Sequence, residues 1–109
     1  MLHIEMVLED GSPAVGSVAN VENLSGIQRA FARGTDASGA NRTNVLDVPV
    51  YFGETYQVRG FLIHSEPLGP VELNKPFKMR STQWRGLSGP IQVDGPDVRI
   101  RVVLLEVQR

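Results

Sequence analysis

The amino-acid sequence predicts an all-β domain, an antiparallel sandwich of about seven strands. Three observations carry that prediction. Apolar and polar residues alternate with a period of two in the best-defined stretches. Clusters of Gly, Pro, Asn and Asp interrupt the chain at short intervals. No window sustains the roughly 3.6-residue apolar period of an amphipathic helix.

In the first stretch Leu2, Ile4, Met6 and Leu8 fall on one face and His3, Glu5, Val7 and Glu9 on the other, as a half-buried strand requires. Asp10-Gly11-Ser12-Pro13 then supplies a turn. A second strand runs from about Ser17 to Asn23, and Asn23-Leu24-Ser25-Gly26 breaks it. The third stretch, Gln28 to Gly34, alternates too irregularly to assign an inward face. Thr35-Asp36-Ala37-Ser38-Gly39 reads as a turn, and a strand follows across Arg42 to Val48. Pro49 ends that strand or places it at an edge, because proline cannot donate to a ladder.

After Gly53 the stretch Thr55 to Ile63 alternates, with Tyr56, Val58, Gly60 and Leu62 on one side and Gln57, Arg59, Phe61 and Ile63 on the other. Ser65 to Pro70 reads as a loop, and Val71 to Met79 as a strand interrupted by Pro76. Gln83 to Asp97 reads as a Gly/Pro-rich connection holding a short piece of strand at Ile91-Gln92-Val93. The last strand, Val98 to Val107, is the most apolar. The expected core is Leu2, Ile4, Met6, Leu8, Ala19, Val21, Tyr56, Val58, Leu62, Val98, Ile100, Val102 and Leu104. Short strands spaced by turn signals indicate a sandwich or a barrel, and an immunoglobulin-like sandwich is the expectation.

A chain of 109 residues fits one domain over residues 1–109 and buries about 65% of its unfolded surface. With 41% hydrophobic and 21% charged residues it lacks the composition of a disordered chain. A net charge of −1 gives no electrostatic case for nucleic acid or an anionic membrane. The absence of cysteine excludes disulfides and thiolate metal sites and leaves the compartment undecided. No apolar run approaches the ~18 residues of a membrane span, so no membrane insertion is expected. No signal-peptide pattern precedes the first strand. That alternation starts directly behind Met1, which reads as a domain cut from a longer chain.

Three groups of residues share their order with a known family. They are Val7-Leu8-Glu9-Asp10-Gly11-Ser12-Pro13-Ala14-Val15-Gly16 with Ala19 and Val21, then Thr35-Asp36-Ala37-Ser38-Gly39, then Gly53-Glu54-Thr55-Tyr56-Gln57-Val58. The chain here resembles the carboxypeptidase regulatory-like domains, which share the prealbumin-like (transthyretin-like) sandwich. The resemblance implies a non-catalytic accessory or linking domain beside catalytic or surface modules of a larger, cell-surface or secreted protein, in an extracellular or periplasmic setting. It implies no cofactor.

Candidate chemistry is sparse. Hydroxyisourate hydrolase, of the same sandwich class, needs clustered histidines, an arginine after its turn and a Tyr-Arg-Gly-Ser terminus; here His3 and His64 are the only histidines, Ala40 replaces the arginine, and the chain ends Glu106-Val107-Gln108-Arg109. His3, two residues from Glu5, is expected to be a solvated strand residue. No serine sits in a Gly-x-Ser-x-Gly elbow. Asp36 with Ser38, or Asp94 with Asp97, lacks the spacing of a calcium loop. Lys75, Lys78, Arg80 and Arg85 around Trp84 are balanced by acids elsewhere. Trp84 with Tyr51 and Phe52 offers an aromatic platform for sugar, so a carbohydrate-binding module is the second functional expectation.

The outward faces hold the last candidate. If Val98, Ile100, Val102 and Leu104 face the core, Val103, Leu105 and Val107 point away from it, as do Phe61 and Ile63. Either the loop Gln83 to Asp97 covers these five residues, or they form an interface with a neighbouring domain of the parent chain or with a second copy.

Overall fold

Every element of regular structure among the described residues is a β-strand. The computed structural model describes residues 1–24, 29–34, 42–76 and 78–107. Eight strands occur there: β1 (Leu2–Leu8), β2 (Val18–Asn23), β3 (Arg29–Arg33), β4 (Val45–Val48), β5 (Thr55–Pro67), β6 (Met79–Leu87), β7 (Ile91–Gln92) and β8 (Val98–Glu106). The expected turn at Thr35–Gly39 lies outside the described residues, as does the start of the third expected strand at Gln28.

The strands form one hydrogen-bonded path in the order β3-β2-β5-β6-β8-β1-β4, and β7 pairs with the start of β5. This path curls into a half-barrel around the core. It differs from the expected fully antiparallel arrangement, because β1 and β8 run parallel from Leu2↔Val98 to Leu8↔Leu104. Period-two alternation reports which face is buried and is blind to the direction of the neighbouring strand.

One wall of the core is Leu2, Ile4 and Met6 of β1, Leu46 and Val48 of β4, and Val102 and Leu104 of β8. Ala19, Val21, Tyr56 and Val58 face them from β2 and β5. Each large apolar side chain buried in this way stabilises the fold by roughly 1.5–3 kcal/mol. Leu8, Leu62, Val98 and Ile100 pack against this core and keep part of their surface in solvent. Val7, expected on the polar face, is also buried, and its backbone forms a bridge with Pro13 after the Asp10 turn. In that turn the Ser12 amide and hydroxyl both donate to Asp10 Oδ1, at 2.9 and 2.5 Å.

Two glycines let the walls meet. Gly60 and Gly86 sit opposite each other on β5 and β6, with Ala19 of β2 next in the row. A Cβ on Gly60 would lie 2.7 Å from Leu104 Cδ2, and one on Gly86 would lie 2.3 Å from the Val103 carbonyl oxygen. The gap above this row is filled by Leu104 and Met6 instead. At one end the sheet edges are tied by backbone bonds: the Gly34 amide donates to Ser17 O, Thr43 N to Gly34 O, and Gly16 N to Thr43 O.

The hairpin β5–β6 departs from the sequence-based expectation. Ser65 to Pro67 continues β5, and of the strand expected at Val71–Met79 the described residues 71–76 and 78 lie in the connection between β5 and a β6 that runs from Met79 to Leu87. The ladder extends from Arg59↔Leu87 to Pro67↔Met79. β2 pairs with β5 only as far as Phe61, and the β8 side bonds β6 as far as Gln83, through the Val107 amide. Beyond these points, among the described residues, the two strands pair only with each other and project as an arm. The molecule is 55 Å long with a radius of gyration of 16.3 Å, against about 13 Å for a compact domain of this length.

Candidate interaction surface

The outward side chains of β2, β5, β6 and β8 fall into rows fixed by register. Asn20, Arg59 and Leu87 form one row; Val18, Phe61, Arg85 and Leu105 form the next. Ile63 stands opposite Gln83, whose carbonyl accepts from the Val107 amide. A groove of about 600 Å³ runs along these rows. Its floor and walls include Phe61, Leu87, Val103 and Leu105, and its charged members are Arg59 and Arg85. The Arg85 guanidinium lies 5.5 Å from the centre of the Phe61 ring, a cation–π contact.

All five residues expected on the outward faces are found there. Leu105 is 52% exposed, Ile63 48% and Val103 46%. Val107 is also exposed, and Phe61 is half-buried. The expected covering loop does not lie over them: its first part, Gln83 to Leu87, is strand β6, and Ile91–Gln92 pairs with Thr55 and Tyr56 at the far end of β5. Leu87, 57% exposed, belongs to the same surface. Sequence reasoning left it in a connection, and the signal that could have placed it was its even spacing from Arg85 and Gln83.

The proposed sugar platform is not assembled. Trp84 stands opposite Leu62 and packs against the core. Tyr51 and Phe52 precede the first residue of β5, where the Tyr51 amide donates to the Tyr56 hydroxyl at 2.8 Å. Leu62 lies seven positions along the extended strand from Thr55, or roughly 23 Å.

His3 is more than the solvated residue expected. On the outer face of β1 its Nδ1 lies 2.5 Å from Asp47 Oδ1 of β4, and its Nε2 lies 2.9 Å from Asp97 Oδ1, just before β8. With both ring nitrogens facing carboxylates the imidazolium is the fitting form. Hydrogen bonds to Asp47 first and Asp97 second raise its pKa above the ordinary 6.5. The bond to His3 in turn holds Asp97 below the usual carboxylate value. Neither ring nitrogen is left free to take a substrate proton. Beside it Arg101 Nε donates to Glu5 Oε1 at 2.8 Å.

Among the described residues no group of three or more His, Asp or Glu is placed to hold a metal ion. Asp36 and Ser38 lie outside the described residues. The basic residues around Trp84 are divided: Lys75, Lys78 and Arg80 belong to the arm, with Lys75 paired to Glu72 at 2.7 Å, and Arg85 lies in the groove. No protein-family model, curated protein or solved structure matches this chain. The functional reading therefore rests on the geometry of the apolar outer surface.

Proposed function

We propose that this chain is a non-catalytic accessory domain that binds protein through the outer face of β2, β5, β6 and β8. The observation that carries the reading is the exposed apolar surface of Phe61, Ile63, Leu87, Val103, Leu105 and Val107. Contiguous apolar patches of a few hundred Å² on a water-facing sheet mark sites of association. The engagement of both His3 nitrogens supports the non-catalytic part, and the separation of Trp84 from Tyr51 and Phe52 counts against the sugar-binding alternative.

The prealbumin-like, immunoglobulin-like sandwich belongs to the same proposal. Its support is the behaviour of β8, which pairs along its length with β1 and near its end with β6, so that two groups of strands face each other across one core. Corners of this kind, made by a strand shared between sheets, occur in sandwiches.

A photoreactive amino acid placed at Leu105, and in a control at Arg99, tests the reading in cells that make the protein. The expected result is a defined protein adduct at Leu105 that Phe61→Ser removes, with none at Arg99. Equal labelling at the two positions, or none at either, would overturn it.

A further inference from the structure

We propose that the β5–β6 arm of one copy of this chain docks into the outer groove of a second copy. The inference rests on the reading of the outer face as an interaction surface and names its partner.

The arm is unfinished by itself. From Ile63 to Pro67 on one strand and Met79 to Thr82 on the other it is a two-stranded ribbon, and such ribbons are at best marginally stable in water. Its polar ladder, with Ser65 and Ser81 hydroxyls 2.9 Å apart and Glu66 opposite Arg80, suits solvent. Its far end does not. Leu68, Val71, Leu73 and Met79 are all exposed there, and Leu73 reaches 90%.

The groove offers what the arm lacks. Phe61, Leu87, Val103 and Leu105 present apolar surface, and Arg59 and Arg85 stand among them with no acid among the described residues of the lining; Glu22 lies beyond Arg59 in the adjoining depression. The outgoing limb of the arm, Glu66-Pro67-Leu68-Gly69-Pro70-Val71-Glu72-Leu73, carries two carboxylates and no base. Lys75, Lys78 and Arg80 lie on the return limb, so the outgoing limb is the edge that meets the groove. The Glu72–Lys75 pair is exposed on both sides, and a surface pair of this kind is weak enough to exchange for a groove arginine.

The arm cannot fill its own groove. Leu68, just past the end of the ladder, lies seven residues beyond Phe61, roughly 23 Å away, and folding back would break the β5–β6 pairing. A second copy can supply the match. The eight apolar side chains named, at roughly 100 Å² each, give about 800 Å² for one arm in one groove. Two reciprocal junctions give about 1,600 Å², the size of a stable interface.

Sedimentation velocity on the full chain, from about 1 µM to about 1 mM, brackets the dissociation expected of such an interface. The wild-type chain should associate. An arm variant, Leu68→Ser with Leu73→Ser, and a groove variant, Leu87→Ser with Leu105→Ser, should each weaken association by about a hundredfold or more, with unchanged circular dichroism. Mixed together, they should form a one-to-one dimer, since one keeps its groove and the other its arm. If the groove variant loses its β signal, Arg59→Glu takes its place. A chain monomeric throughout, or association that survives the arm variant, overturns the proposal. A monomeric chain whose residue 105 still crosslinks to a different protein removes the second copy and leaves the interaction surface; loss of both results removes both readings.

Discussion

Strand β8 carries two different outer surfaces along its nine residues. In its first half Arg99 and Arg101 stand opposite His3 and Glu5 of β1, where His3 pairs with Asp47 and Asp97 and Arg101 pairs with Glu5. In its second half Val103 and Leu105 point outward beside Phe61 and Leu87, and the Arg85 charge there lies over the Phe61 ring. The inward side does not change: Ile100, Val102 and Leu104 continue in step toward the core. Burial on one face therefore specifies the strand, while the opposite face is free to be finished for water in one half and left apolar for a partner in the other.

The largest expected effect separates neighbouring residues of that second half. Leu104 is fully buried and touches the Gly60–Gly86 row, so Leu104→Ala should destabilise by about 3–4 kcal/mol in urea unfolding. Leu105→Ala, half-exposed on the outer face, should cost less than about 0.5 kcal/mol in the same measurement at concentrations where the chain is monomeric. Similar losses at the two positions would mean that the outer surface is part of the core, and the contrast between the two faces would fail.

A second test addresses how β8 reaches β6 at all. A methyl group at Gly86 meets the Val103 backbone oxygen, which cannot rotate away, whereas one at Gly89 meets nothing within 4 Å. Gly86→Ala should therefore cost about 2–3 kcal/mol by overpacking, and Gly89→Ala should leave the unfolding midpoint nearly unchanged. Equal midpoints for the two variants would show that the close approach of β6 and β8 is dispensable.

The comparison also explains what could be read from the chain. Nine of the thirteen residues expected in the core are buried and the other four pack against it, because one-sided burial imposes alternation directly on the sequence. The outward apolar residues were legible for the same reason: Val103 and Leu105 break a rule that Arg99 and Arg101 keep. The arm was not legible. His64, Ser65 and Glu66 face solvent on both sides of their ribbon, so nothing forces a period on them, and their pairing with Arg80, Ser81 and Thr82 leaves no local mark. The parallel pairing of β1 with β8 was hidden too, since it joins residues from opposite ends of the chain. So was the His3 cluster, in which Asp47 and Asp97 are 44 and 94 positions away.

The smallest expected effect lies in the polar half and depends on pH. The pKa of His3 is raised by its bonds to Asp47 and Asp97, so the folded state binds that proton more tightly than the unfolded chain. Its contribution is complete below the unfolded value of 6.5 and disappears as pH rises through the higher folded value. Asp97 is shifted the other way by the same bond; its contribution is present above its ordinary 3.8 and is lost as pH falls through the lower folded value. The cluster thus stabilises most between roughly pH 4 and pH 6.5. Both carboxylates are exposed, so salt should weaken the effect. Thermal unfolding at pH 5.5 and pH 8.5 should show a larger fall in midpoint for the wild-type chain than for His3→Gln, and added salt should narrow the difference. Parallel profiles for the two proteins, at low salt as at high, would mean that the imidazolium is no clamp across β4, β1 and β8.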